Sequence, residues 1–176
     1  RLSLHLVTAF FILSLIFWNY LELKKTNISK DKLNYYLPIT FLLLIFFQIL
    51  LGAFVSGMDA GKIYNTWPLM GNNYFPDDNK FINLFDLGAF SDPSLVQFMH
   101  RNLAYLILFF YFFFLYKIYK NKKKEFFNII KLIGLILFIQ IILGILTIIY
   151  GAQIFLSSMH QISSIFLVSS SVYFYY

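Results

Sequence analysis

Five long apolar runs divide the chain: Leu2 to Leu21, Leu37 to Met58, Leu95 to Tyr116, Leu132 to Tyr150 and Ile154 to Tyr176. Each is close to the ~20 residues that a helix needs to cross a ~30 Å hydrocarbon core. None shows the period-two alternation of a barrel strand, and a backbone in lipid must satisfy its own hydrogen bonds, so the pattern predicts helices. The expected fold class is all-α, a polytopic membrane helix bundle with five transmembrane helices. An odd number of spans, and a first residue, Arg1, that is no initiator Met and opens no signal peptide, predict that the sequence starts inside a longer protein.

The polar positions between the runs set an orientation. Lys24, Lys25, Lys30 and Lys32 follow the first run, and Lys117, Lys120, Lys122, Lys123 and Lys124 follow the third. The connection after the second run carries Asp59, Asp77, Asp78, Asp86 and Asp92 against Lys62 and Lys80. By the positive-inside rule the lysine-rich loops are cytoplasmic, or on the matrix side in an organelle, and the acidic loop is outside; Arg1 falls outside against the rule.

Composition agrees. The 176 residues are 60% hydrophobic, 22% aromatic and 12% charged, whereas a soluble domain is about a quarter charged. So much apolar surface cannot hide inside one water-facing globule of this size. The net charge of +6 is thus a topology signal, and no nucleic-acid partner is expected. The absence of Cys excludes a disulfide framework, thiolate metal sites, a Cys nucleophile and covalent haem attachment.

An internal repeat carries the candidate chemistry. The second run contains Gln48-Ile49-Leu50-Leu51-Gly52 and the fourth Gln140-Ile141-Ile142-Leu143-Gly144; the third has Met99-His100 near its outer end and the fifth Met159-His160 near its own. Both units start on the same side, so they are parallel repeats about an axis along the membrane normal. With Pro93 as first helical residue and Asp92 as its cap, His100 lies about 10 Å deep at ~1.5 Å per residue. His160 stands seven residues beyond Gln153, so the two imidazoles are expected at equal depth, facing each other across the axis. Ionisable groups inside spans are functional candidates, because burying them in hydrocarbon is expensive.

Without Cys, or carboxylates within the spans, a zinc or di-iron centre would lack ligands, but two imidazoles complete an iron whose other four ligands come from a porphyrin. Ser157, Ser164 and Ser171, which share a face with His160, and Ala104, one turn beyond His100, would leave room for a flat macrocycle or serve close helix packing. Arg101 and Lys62 are candidate partners of haem propionates at the outer interface. Plainer readings stand beside these. A lone intramembrane His is often a packing residue, and Arg101 can snorkel to the headgroups. Trp18 and the Tyr near span ends suit an aromatic belt, and Phe109 to Phe114 suit lipid-facing bulk.

The most specific stretch is GMDAGKIYNTWPLM at 57 to 70, read physically as a helix exit at Gly57, a flexible turn at Gly61 and an amphipathic segment whose Tyr64 and Trp67 suit the interface. With QILLG at 48 to 52, QFMHRNLAY at 97 to 105, QIILG at 140 to 144 and MHQ at 159 to 161, it resembles the haem A synthase family in its cysteine-free form, over nearly the whole chain. The resemblance implies eight helices in two four-helix halves. Residues 1–23 would be the last helix of the first, substrate-haem half, 24–36 a cytoplasmic or matrix loop, and 37–176 the second half, with its outer loop at 57–94. It implies that His100 and His160 hold haem b, and that His5 is one ligand of the substrate haem.

The family oxidises the C8 methyl of haem O to a formyl group, giving haem A for cytochrome oxidase in a bacterial or mitochondrial inner membrane. Haem O is then the substrate, haem O synthase and the oxidase assembly pathway are implied partners, and a second copy of the chain is a further candidate partner. Two other readings share parts of this pattern. A b-type cytochrome subunit would use the same ligands without converting a substrate. A transporter built on the parallel repeat would need helices broken near mid-membrane.

Overall fold

The computed structural model describes residues 2–24 and 36–176. Arg1, Lys25, Lys30 and Lys32, which entered the orientation argument, lie outside the described residues. Among the described residues five α-helices follow one another: α1 (Leu2–Lys24), α2 (Tyr36–Gly57), α3 (Pro93–Lys120), α4 (Phe127–Ile149) and α5 (Ile154–Tyr175). Among the described residues no β-strand forms; an isolated bridge pairs Met70 with Asn73.

The helices start and stop for local reasons. Asp92 caps α3 by accepting the Leu95 amide at 3.0 Å, with Pro93 in the first turn, as the sequence predicts. At the other end of the repeat, α4 closes on Gly151 in the left-handed region at φ 67. The Gly151 amide bonds to the Ile148 carbonyl and the Ala152 amide to that of Thr147, a Schellman pattern that satisfies the last carbonyls. The helices also outrun the apolar runs: α3 continues through Lys117 to Lys120, and α4 starts at Phe127 with Lys131 exposed on it. Lysine is a good helix former whose stem lies along apolar surface while its charge stays wet, so charge marks the edge of an apolar zone and not the end of a helix.

α1 to α4 are each long and apolar enough to cross a membrane. α5 is a continuous helix of 22 residues, but Ser157, Ser158, Ser163, Ser164 and Ser169 to Ser171 dilute its apolar content, so it does not reach the same measure.

α2 pairs with α3 and α4 with α5 as antiparallel hairpins, α2 also touches α5, and α1 lies against α2 and α5. Side chains spaced three or four apart on each helix meet in one core: Phe41, Ile45 and Ile49 of α2, Leu103, Ile107 and Phe114 of α3, Ile130, Ile133 and Leu137 of α4, and Leu167, Val168 and Val172 of α5. This core fills the end of the bundle nearer the α3–α4 lysines. Towards the other end packing opens: beyond Leu137 α4 buries no side chain, and before Ser164 α5 buries none.

Some plainer readings need correction. Phe109, Phe112 and Phe113 are exposed, but Phe114 and Tyr111 of the same run are core residues. Tyr111 places its hydroxyl against Gly134 of α4, where a Cβ would collide with it. Ser164 and Ser171 are buried, and their hydroxyls bond to the Gln161 and Leu167 carbonyls of their own helix. A hydroxyl satisfied in this way lets a neighbouring helix approach closely, so these two serines pack helices.

Candidate functional site

The two repeat units close on the same arrangement. In the first, Gln48 and Gly52 stand four apart on one face of α2, and His100 of α3 lies against them. The Gln48 side-chain amide donates to the His100 main-chain carbonyl at 3.0 Å and lies 3.3 Å from the His100 Nε2. In the second, the Gln140 amide donates to the His160 carbonyl at 3.0 Å and lies 3.4 Å from its Nε2. A Cβ built on Gly52 would meet His100 Cε1 at 3.1 Å, and one on Gly144 would meet His160 Cε1 at 3.1 Å. Each imidazole therefore lies on bare helix backbone that only glycine leaves open.

The spacing of four has a mechanism. The side chain at i+4 shields the carbonyl of residue i on a helix, so glycine there uncovers it. His160 Nδ1 uses this opening and lies 3.0 Å from the Gln140 carbonyl oxygen. That oxygen can only accept, so Nδ1 carries the ring proton and Nε2 is left with its lone pair. In the first unit the Gln48 amide, fixed by its bond to the His100 carbonyl, presents N–H to Nε2 and demands the same tautomer. Here, however, His100 Nδ1 is buried with no partner, as is the Gln48 side-chain oxygen. The Gln140 oxygen instead accepts from the Ser163 hydroxyl.

His100 and His160 are both half-buried. Their depths differ by one residue, since α3 starts at Pro93 and α5 at Ile154. His5 is elsewhere: it is exposed on α1, and among the described residues no hydrogen bond links it to either imidazole.

The motif QFMHRNLAY serves two sides of α3. His100 turns to α2, whereas Gln97, Arg101, Asn102 and Tyr105 hold the loop after α2. Arg101 is only 6% exposed. Its terminal nitrogens donate to the main-chain carbonyls of Tyr64 at 2.9 Å, Thr66 at 2.9 Å and Leu69 at 3.2 Å, while its Nε has no partner. Gln97 donates to the same Tyr64 carbonyl at 3.1 Å, Tyr105 accepts from the Trp67 indole at 3.0 Å, and Asn102 accepts from the Tyr74 hydroxyl. Arg101 thus neither snorkels nor stands free; it is the buried anchor of the YNTWPLM segment.

The rest of that segment is equally fixed. Asn65 reaches α4 and donates to the Ile148 carbonyl at 2.9 Å. Gly61 is buried in a short 3-10 turn, Ala60–Lys62, where a Cβ would approach that of Ala152 to 3.3 Å; it is a packing contact and not the flexible turn that the sequence suggests. No amphipathic helix forms around Tyr64 and Trp67, since α3 captures the carbonyls such a helix would use. Lys62 is exposed and pairs with Asp59 at 2.7 Å. Further out, Asp78 accepts from Tyr64 at 3.0 Å and Ser94 at 2.6 Å. Burial alone would raise the Asp78 carboxyl, but these hydroxyls outweigh it and hold it below its ordinary range. Burial, and then the bond to Asp78, push the Tyr64 phenol up.

Among the described residues no three His, Cys, Asp or Glu side chains converge to hold a metal by themselves. In the sequence the glutamines mark the repeat and show no further role, although a Gln four before a Gly in both units is the visible signal.

The sequence model of the COX15-CtaA family, described as cytochrome oxidase assembly protein, matches residues 1–172. Among curated relatives, Heme A synthase of Pelagibacter ubique (strain HTCC1062) is 43% identical over 170 residues, covering 97% of this chain and 50% of the relative. Heme A synthase of Wolbachia pipientis wMel is 38% identical, covering 99% of this chain and 49% of the relative. That of Rickettsia prowazekii (strain Madrid E) is 35% identical, covering 100% and 53%. The chain thus spans about half the length of the relatives it matches. No solved structure matches it. With its apolar helices, this likeness makes the chain a multi-pass membrane protein, and it belongs to the COX15-CtaA family of cytochrome oxidase assembly proteins.

Proposed function

We propose that this chain is the haem b-holding part of a haem A synthase, the whole of which oxidises the C8 methyl of haem O to a formyl group for cytochrome oxidase. The observation that carries the reading is the paired Gln–Gly–His arrangement. Two imidazoles, each with an unprotonated Nε2 that a glutamine amide meets only at 3.3 and 3.4 Å, are a donor set suited to a haem iron, whose remaining ligands the porphyrin would supply. The open packing around His160 fits an added group better than a finished core. A bis-imidazole haem supplies one-electron relay near the substrate.

The chain's own residues then take these parts. His100 and His160 are the haem b ligands, and Gly52 and Gly144 clear their rings. His5 is a ligand of the substrate haem; it heads an exposed stripe of α1 with Ile12, Ile16 and Tyr20, free to face the half that longer relatives contain. Lys62 meets a propionate by exchanging Asp59, and Arg101 has only its Nε–H left to offer one. α1 closes a substrate-haem half, α2 to α5 form the second half, and α5 is the fifth span of the chain despite its serines. The lysine-rich end lies on the cytoplasmic or matrix side of the inner membrane, and the loop with YNTWP on the outer side. Haem O synthase and a second copy of the chain are its candidate partners.

The test uses the complete protein in membranes. His100→Ala and His160→Ala are each expected to abolish the low-spin b-type spectrum, and His5→Ala to spare it while stopping haem O conversion. Loss of that spectrum with His5→Ala alone would overturn the ligand assignment. A haem-loaded protein that gives no hydroxylated or formyl haem from haem O would instead be an electron-transfer cytochrome. The transporter reading has no support in α2 to α5, which run unbroken.

A further inference from the structure

The two units share the Gln–Gly–His seat but differ in what backs each ring. His160 has its Nδ1 on the Gln140 carbonyl, and Ser163, three residues on, donates to the Gln140 side-chain oxygen or to the His160 carbonyl. The position three residues after His100 is Leu103, a core side chain. It has no hydroxyl, and both atoms that the second unit satisfies, the ring Nδ1 and the glutamine oxygen, are left buried and unpaired in the first. A buried polar atom without a partner is destabilising, and a ring bonded at Nδ1 is both oriented and made a better donor at Nε2.

From this we infer that the two imidazoles are unequal ligands, which rests on the haem reading above. His160 is the fixed ligand, positioned by Gln140 and Ser163; His100, positioned by Gln48 alone, is the one that gives way to a small exogenous ligand. Gln48, Gln140 and Ser163 are positioning residues, since each acts on the iron only through an imidazole.

Carbon monoxide titration of the reduced, haem-loaded complete protein tests this, with the visible spectrum as readout. Leu103→Ser, which gives the first unit the missing hydroxyl, is expected to weaken carbon monoxide binding about fivefold, the worth of one hydrogen bond. Gln48→Leu should strengthen it by about as much, whereas Ser163→Ala should move it less than either. Two variants acting in opposite directions keep the test decisive if one of them fails to fold. A response to Ser163→Ala with none to Leu103→Ser would make His160 the yielding ligand and overturn the inference, as would a wild-type protein that binds no carbon monoxide. If His100→Ala and His160→Ala both leave the low-spin spectrum intact, the haem reading falls and takes this one with it. If they abolish it while carbon monoxide binding ignores Leu103 and Gln48, only the inequality falls.

Discussion

The link from α2 to α3 runs from Met58 to Asp92 through three short 3-10 turns and is fastened by Arg101, Gln97, Asn65 and Asp78, whereas α4 reaches α5 through a tight turn at 150–153. Both nevertheless deliver a histidine onto a glycine with the same 3.1 Å clearance for an added Cβ. The shared geometry therefore belongs to the helix pairs and not to what joins them. The long link does something the short one does not: it lies across both, with Asn65 on the end of α4 and Gly61 on Ala152.

Four changes would break or sharpen this comparison. The largest effect is expected from Gly52→Val and Gly144→Val, which overpack the ring seats at a cost of about 1–3 kcal/mol. Either should abolish the low-spin spectrum of the haem-loaded protein, and a variant that kept it would show that its unit does not depend on the glycine. Next comes Arg101→Ala. With its charged hydrogen bonds to the loop removed, the outer loop should lose about 3 kcal/mol of local stability, read as proteolysis or fast amide exchange within residues 63–70, while α4 and α5 keep their protection. If both hairpins loosened together, the loop would be part of the shared geometry after all.

Asn65→Ala should cost about 1 kcal/mol and show as earlier fraying at the end of α4 in hydrogen exchange; unchanged exchange there would remove the proposed bridge between units. The smallest effect is pH. Because the Asp78 carboxyl is held below its ordinary value of 3.8, its bonds to Tyr64 and Ser94 are complete above that value and fade only as pH falls through the lowered one. Tyr64, raised above 10.0, sets the opposite limit: its contribution is present below that value and is lost as pH climbs through the raised one. Exchange in the outer loop should be protected across the range between, and Asp78→Asn should erase the acid limb. A loop that loosened near neutrality would contradict this.

The helices and the histidine repeat were legible in the sequence because each rests on a local pattern: apolar length for the spans, Asp92-Pro93 for a cap, and recurrence for His100 and His160. What stayed hidden depends on partners far away in the chain. Nothing near Arg101 says that its donors go to carbonyls more than thirty positions earlier, and charge alone suggested a lipid or propionate partner. Gly61 reads as a flexible turn because glycine is both the most permissive residue and the smallest, and only Ala152 shows which property is used. The glutamines were visible as letters of a repeat, but their task appears only once α3 and α5 bring a ring to each.

The outer anchor also bears on how the protein is made. A guanidinium near the end of a span is costly to leave without partners at membrane depth, and in Arg101 peptide carbonyls supply them. Seating of α3 and wrapping of the preceding segment must therefore finish together. A substitution that blocks either is expected to leave that guanidinium unpaired, even with both imidazoles in the right sequence positions.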